Sequence, residues 1–280
     1  MELPAIPPPL STPAENSISE NGFDSTATLQ LDGASDISNW TAAKVLVEHL
    51  FALGSARILG VEYAVGYQLA HGLTGGDIVD VYHFDNDAVS FSIADIAGKG
   101  TQAAIHAAMV KYGLRAYASQ GLTPERVLRS LDRLYIENNA FERIESFASV
   151  FFGMVDTSRR IMHYASGGHE AAAVLAPGEA PRLLEPTAPL IGVFDDQHHL
   201  FKQSFVELLP GTLFVATTDG VTEARADSGE FFGIERFLDT IDEFAEAPAE
   251  LIVQQLIDRA RAFSGDRLRD DVAVVAARFI

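Results

Sequence analysis

The chain has 280 residues, with 39 Asp and Glu against 20 Lys and Arg, a formal net charge of −19 and no cysteine. This balance excludes a broad footprint on a phosphate backbone, so nucleic acid is not an expected partner; the missing thiols exclude disulfide scaffolds, thiolate zinc sites and cysteine nucleophiles. A hydrophobic share of 48% excludes global disorder. No apolar run approaches the ~18 residues of a membrane span, and no basic start marks a signal peptide, so the expected location is cytoplasmic.

Residues 1–38 read as a disordered tail. Five of the 12 prolines lie within Met1–Pro13, and acids precede the first base, Lys44. Residues 39–57 read as an N-terminal regulatory or dimerisation helix. Within them, Val45, Leu46, Leu50 and Leu53 recur at helical spacing behind Thr41, and Gly54 closes the run. A homodimer is an expectation that the family resemblance given below implies for this helix. The remainder, 58–280, reads as the folded domain.

Val61–Ala70 alternates as a half-buried strand, with Val61, Tyr63, Val65, Tyr67 and Leu69 on one parity. Ile78–Phe84 and Ala88–Ala94 form a hairpin around Asp85-Asn86-Asp87. Helices follow at Thr101–Ala118 and Pro124–Asn138, the second with Thr123 as cap and Pro124 at its first position. Phe147–Val155 and Ile161–Ala165 make a second hairpin. Short strands are predicted at Ala172–Leu175, Arg182–Leu184 and Ser204–Leu208. Thr212–Thr217 is nearly all apolar and reads as buried on both faces. Helices at Ile234–Phe244 and Ala249–Phe263 precede a last buried strand, Val272–Phe279. Strands joined by hairpins imply antiparallel sheets with helices outside them, an α+β fold.

Four places put aspartate at the end of a strand or on a glycine turn: Gly75-Gly76-Asp77, Asp95-Ile96-Ala97-Gly98, Thr218-Asp219-Gly220 and Asp270-Asp271. Each alone is a common turn. If the strand ends converge, each like-charged pair at ~4 Å costs about 4 kcal/mol at an effective dielectric of about 20. Either the acids stay apart or they hold cations, and all-oxygen ligands suit Mg²⁺ or Mn²⁺.

From about Val61 to Phe279 the chain resembles the PPM metal-dependent protein phosphatases, specifically the bacterial SpoIIE/RsbU type related to protein phosphatase type 2C. The motifs stand in family order. Gly75-Gly76-Asp77 comes first. Asp95-Ile96-Ala97-Gly98-Lys99-Gly100 with Ala103-Ala104 follows, then Ser166-Gly167-Gly168-His169. Leu209-Pro210-Gly211-Thr212-Leu213 leads to Thr218-Asp219-Gly220-Val221-Thr222-Glu223-Ala224, and Asp270-Asp271-Val272-Ala273-Val274-Val275 ends the set.

The resemblance implies an αββα sandwich holding two Mn²⁺ or Mg²⁺ ions. Asp95 would bridge the ions and the Ile96 carbonyl would bind one. Asp219 and Asp270 would bind the other, with Asp77 acting directly or through water, so that Asp77 and Asp95 carry the catalysis. It implies hydrolysis of phosphoserine or phosphothreonine by metal-bound hydroxide, with a STAS-type anti-sigma antagonist in a partner-switching pathway as substrate. Gly76 and Gly98 would be small to let backbone and solvated metal approach, and Gly220 is the invariant neighbour of Asp219 in that motif. Lys99 stands where many relatives have histidine; it either attracts phosphate or points outward. His169, in a Ser-Gly-Gly-His that departs from Asn-Ala-Gly-His, reads as structural. Ala97 replaces a histidine of the animal enzymes, and Ala273 a frequent threonine.

Two other readings compete. Gly98-x-Gly100-x-x-Ala103 fits a dinucleotide fingerprint, which requires a βαβ unit. A member that has kept the fold and lost activity is the other. Adjacent His198 and His199 read as surface loop, and His71, His83, His106 and His163 have no partner at metal-ligand spacing.

Overall fold

The computed structural model describes residues 54–70, 75–84, 88–142, 145–169, 171–193 and 198–280. The expected tail, the Trp40–Leu53 helix, His71 and the Asp85-Asn86-Asp87 turn lie outside the described residues.

Among the described residues, β1 (Gly54–Ile58), β2 (Val61–Gln68), β7 (Ala172–Leu175), β8 (Arg182–Leu183), β10 (Leu213–Thr217) and β11 (Val272–Phe279) form one sheet in the order β1-β2-β11-β10-β7-β8. The second sheet runs β3-β4-β5-β6-β9, from β3 (Ile78–His83), β4 (Ala88–Ile96), β5 (Ala148–Asp156), β6 (Ile161–Gly167) and β9 (Ser204–Glu207). Every pairing between these strands is antiparallel. Helices α1 (Gly100–Ala118) and α2 (Pro124–Glu142) cover the second sheet, while α4 (Gly233–Glu243) and α5 (Ala249–Phe263) cover the first; α3 is the single turn Asp219–Thr222. The αββα sandwich expected from the hairpin order is the architecture found.

Side-chain alternation explains the layering. On β4, Val89, Phe91 and Ile93 face the opposite sheet, and Ala94 and Ile96 face the helices. On β11, Ala273, Val275 and Ala277 point inward, and Val272, Val274 and Ala276 point to α4 and α5. Strand β11 reads as a nearly unbroken apolar run because both faces are covered, while β4 sets Ser90 and Ser92 among its apolar residues. Phe214 of β10 stitches the layers, stacking on Phe151 at 5.3 Å between ring centroids and meeting Phe91 at 5.7 Å.

Three details differ from expectation. Residues 54–57, grouped with the preceding helix, belong to β1, which turns into β2 through Leu59 (φ 47°) and Gly60 (φ 77°), the two positive-φ positions of a tight hairpin. Strand β2 has its second face against α5 rather than solvent; a Cβ on Gly66 would lie 2.4 Å from Val253 Cγ1. Finally, β4 runs antiparallel to β3 and β5, so the Gly98–Gly100 loop has no βαβ unit and the dinucleotide reading fails. Among the described residues no helix is long and apolar enough to cross a membrane.

Candidate metal centre

Strand parity decides which acids meet. Asp77 lies two residues before inward-facing Val79, Asp95 two after Ile93, Asp271 two before Ala273, and Thr218 two after Ala216. All four share the inward parity and sit at one end of the layer between the sheets. Three short ties bring the strand ends together. The Thr218 N–H donates to the Ala273 carbonyl at 3.0 Å and the Ala273 N–H donates back to Thr218 Oγ1 at 3.0 Å. A Cβ on Gly220 would lie 1.8 Å from the Asp271 carbonyl oxygen, so only glycine lets the exit of β10 touch the entry of β11. A Cβ on Gly76 would lie 2.6 Å from the Ile96 carbonyl oxygen, so the Gly76 backbone rests on that carbonyl.

The resulting mouth is acidic. Asp77 is 3% exposed, and burial, then the charge of Asp95, pushes its carboxyl well above the ordinary range. The Thr218 hydroxyl hydrogen-bonds to Asp77, yet Asp77 Oδ2 is buried with no partner. Burial and then Asp270 raise Asp95. Burial, followed by Asp95 and Asp270, pushes Asp219 up to about 7. Glu223 adds to the repulsion on both Asp95 and Asp219. Asp219 and Asp270 are exposed at the rim, whereas Asp95 is half-buried. The five expected ligand positions, Asp77, Asp95, Ile96, Asp219 and Asp270, thus lie at one rim. Among the described residues no three carboxyl or imidazole groups are closed into a ligand cage.

Asp271 was read only as part of a motif, and it is the most firmly held acid of the group. The Ala70 N–H donates to its Oδ1 at 2.8 Å and the Tyr67 hydroxyl donates to its Oδ2 at 3.2 Å. Burial still raises it, while Lys99 is among the charges pulling it down. Lys99 is exposed, just ahead of α1, within electrostatic range of the acids. Gly75, Tyr67, Thr218 and Glu223 were also missed by the sequence reading. Gly98 is glycine for a different reason from the one expected: its φ is 119° and a Cβ there would meet nothing within 4 Å, so backbone conformation and not crowding selects it.

His169 is 3% exposed, and burial drives its pKa down to about 4, so it is neutral at physiological pH. Its Nδ1 lies 3.1 Å from Ser149 Oγ, on the residue paired with Asp95, and its carbonyl accepts from Ser166 Oγ at 2.7 Å. This is a structural histidine beside the mouth. His106 is buried among Ser146, Tyr135 and Asn138, and His83, His163 and His199 lie away from the acids.

Comparison with known proteins points to one family. The family model for stage II sporulation protein E (SpoIIE) matches residues 85–280. Phosphoserine phosphatase RsbU of Bacillus subtilis (strain 168) is 29% identical over 202 residues, covering 71% of this chain and 58% of its own length. The chain therefore spans less than two thirds of that relative. Among solved structures, the SiaA-PP2C domain of Pseudomonas aeruginosa superposes with a TM-score of 0.71 at 19% identity, over 86% of this chain and 95% of that one. The RsbU and RsbW domains of a Mycobacterium tuberculosis protein give 0.69 at 23% identity, over 81% and 62%. The catalytic domain of the serine/threonine phosphatase PstP, in complex with two manganese ions, gives 0.57 at 14% identity, over 78% and 97%. These structural likenesses are of fold.

Proposed function

Because the chain belongs to the SpoIIE family, we propose that it is a metal-dependent serine/threonine phosphoprotein phosphatase. The observation that carries the reading is the meeting of Asp77, Asp95, Asp219 and Asp270, from both sheets, at one rim, with Asp77 Oδ2 buried and unpartnered. The crowding of like charge fits divalent cations, and so does the donor set of carboxylates plus the Ile96 carbonyl. An ion such as Mg²⁺ keeps several waters and needs only one or two carboxylates, so an open rim rather than a closed cage suits it.

In this reading Asp77, Asp95, Asp219, Asp270 and the Ile96 carbonyl hold two Mn²⁺ or Mg²⁺ ions. When bound, the ions supply positive charge for the phosphoryl oxygens and acidify water for in-line attack. The manganese held by PstP supports the same assignment. The chain's own residues do the rest. Thr218 and the Gly76 backbone orient Asp77 and Ile96. Tyr67 and Ala70 hold Asp271 beneath them. Lys99 offers a cation in electrostatic range of Asp271, and it is assigned to the incoming phosphate. His169, neutral with a pKa of about 4, does not serve as proton donor at neutral pH.

We propose as substrate class a phosphoserine or phosphothreonine protein, specifically a STAS-type anti-sigma antagonist in a cytoplasmic partner-switching pathway. The name of RsbU and the pairing of RsbU with RsbW domains support that choice. Residues 1–38 are assigned as tail and 39–53 as regulatory or dimer-forming, with the phosphatase domain running from β1 at Gly54 to residue 280.

The test is manganese-dependent hydrolysis of p-nitrophenyl phosphate and of a phosphoserine STAS protein. Asp95→Asn and Asp219→Asn are each expected to lower it by more than about 100-fold, since even outer-sphere changes at metal sites cost 10–100-fold. Absence of any hydrolysis, unaltered by either substitution, would leave a silent binding module.

A further inference from the structure

Helix α2 turns a polar stripe into the protein. Asp132, Tyr135 and Asn139 follow one another at helical spacing on its buried side, and Asp132 and Tyr135 are 2% and 0% exposed. Polar groups are costly in such a place unless each has a partner. Partners for them come from two loop segments and from α1. Asn139 Nδ2 donates to the Ser146 carbonyl at 2.6 Å, and the Gly192 N–H donates to Asp132 Oδ1 at 2.8 Å. Ser146 Oγ lies 3.0 Å from the Tyr135 hydroxyl and 2.9 Å from Nδ1 of His106 on α1. The Tyr135 hydroxyl lies 3.3 Å from the same nitrogen, closing a triangle.

What that triangle grips leads directly to the acidic rim. One residue beyond Ser146, the Phe147 carbonyl accepts the Ala97 N–H at 2.8 Å. Ala148 then pairs with Ile96 across the β4–β5 ladder, and its N–H and carbonyl are both bonded to Ile191, at 3.0 and 2.9 Å. The peptide between Ile96 and Ala97 carries both the Ala97 N–H and the Ile96 carbonyl. A planar peptide cannot turn one without turning the other. Asp95, one residue earlier, is the neighbour that raises the Tyr135 phenol beyond the effect of burial, which itself leads the shift up to about 12.

We propose that Tyr135, Ser146 and His106, with Asn139, are positioning residues: by fixing Phe147 they fix the Ile96–Ala97 peptide and so aim the Ile96 carbonyl into the rim. None of the four touches the reacting atoms. The proposal rests on the reading of the Ile96 carbonyl as a metal ligand, and it adds the hydrogen-bonded network that keeps that carbonyl aimed before any ion arrives.

The experiment compares Tyr135→Phe and Ser146→Ala with a control, Tyr164→Phe, which removes a buried phenol hydroxyl from the inter-sheet layer on β6. Two readouts are taken on the full chain. The first is amide hydrogen exchange of Ala97 in chelator. The second is Mn²⁺ binding by titration calorimetry, with kcat measured at saturating Mn²⁺. The two network variants are expected to lose about 10-fold in Ala97 protection, the order of one hydrogen bond's contribution. They are expected to weaken Mn²⁺ binding by about 10-fold, as supporting-residue changes do, with kcat at saturation within about twofold of the parent. Rescue is expected in Ser146→Thr, which keeps the hydroxyl, and no change in Tyr164→Phe. Unchanged Ala97 exchange and unchanged Mn²⁺ affinity in both network variants would overturn the proposal. Equal loss in the control would overturn it too, since the effect would then be general loosening. If the parent binds no Mn²⁺, the phosphatase reading fails by itself, and the amide-exchange arm still decides whether the network holds the peptide.

Discussion

Helices α4 and α5 cover their sheet with apolar side chains: Phe237, Ile241, Ile252, Val253, Leu256 and Ala260 are all buried, and Thr240 is their one buried polar companion. Helices α1 and α2 cover theirs with His106, Lys111, Asp132 and Tyr135 buried among the alanines, valines and leucines. Apolar contact is non-directional, so it sets distance without setting register. Hydrogen bonds and ion pairs fix angle as well. The directional layer is the one that backs Asp77 on the approach to β3 and Asp95 on β4, whereas the apolar layer backs β10 and β11, which lead to Asp219 and Asp270.

The contrast is best broken where the directional layer carries charge. Asp80 of β3 and Lys111 of α1 are each 3% exposed and 3.2 Å apart, and Arg115 donates to both Asp80 oxygens at 2.6 Å while lying over the Tyr82 ring. Burial lowers the Lys111 pKa despite the adjacent carboxylate. Asp80→Asn takes that carboxylate from a buried ammonium and is expected to cost about 3–5 kcal/mol in urea unfolding. Asp80→Asn combined with Lys111→Met should recover most of the loss, because a packed apolar replacement removes both desolvation costs. A double variant no more stable than Asp80→Asn would show that the pair does more than neutralise itself.

A slightly smaller loss sharpens the comparison from the other side. Leu256→Ala in α5 removes a fully buried side chain and is expected to cost about 3 kcal/mol, the transfer loss plus a cavity. Its Mn²⁺ affinity should match the parent within about twofold, against the ~10-fold expected when a supporting residue at a metal site is lost. Equal weakening of Mn²⁺ binding by Leu256→Ala would erase the distinction between the two layers.

Much of this was legible in the chain before folding. Strands β10 and β11 are nearly unbroken apolar runs because each is covered on both sides, β4 alternates apolar residues with Ser90 and Ser92, and the aspartates at their ends mark a common rim. Strand β1 was not legible: Gly54–Ile58 lies at an edge, is mostly exposed, has no alternation, and is placed chiefly by pairing with β2. The choice of Asp270 over Asp271 shows a second limit. Extending the parity of Ala273 and Val275 back by one more step turns Asp271 inward, but the partners that hold it, Tyr67 and the Ala70 N–H, are about 200 positions away. The network around Ser146 was invisible for the same reason. His106, Tyr135 and Ser146 are unremarkable singly, and only the packing of α1 on α2 makes them one cluster.

The smallest expected effect is a pH trend, and its sign is informative. Burial, then Asp95, raises Asp219 from an ordinary 3.8 to about 7, and burial raises Asp77 and Asp95 as well. A carboxyl whose folded pKa lies above its unfolded one keeps its proton longer in the folded state. As pH rises past about 4 the unfolded chain ionises first, so stability drains away until the folded groups ionise in turn, Asp219 at about 7. In chelator, the Tm of the parent is therefore expected to fall by a few degrees more between pH 4.5 and 7.5 than that of Asp77→Asn, which lacks one of the crowded carboxyls. Saturating Mn²⁺ should reverse the trend in the parent, because an ion binds the deprotonated acids and so stabilises most where they are charged. Parallel curves for the two proteins in chelator would mean that the rim carboxyls do not repel one another, and the case for cations there would lose its electrostatic basis.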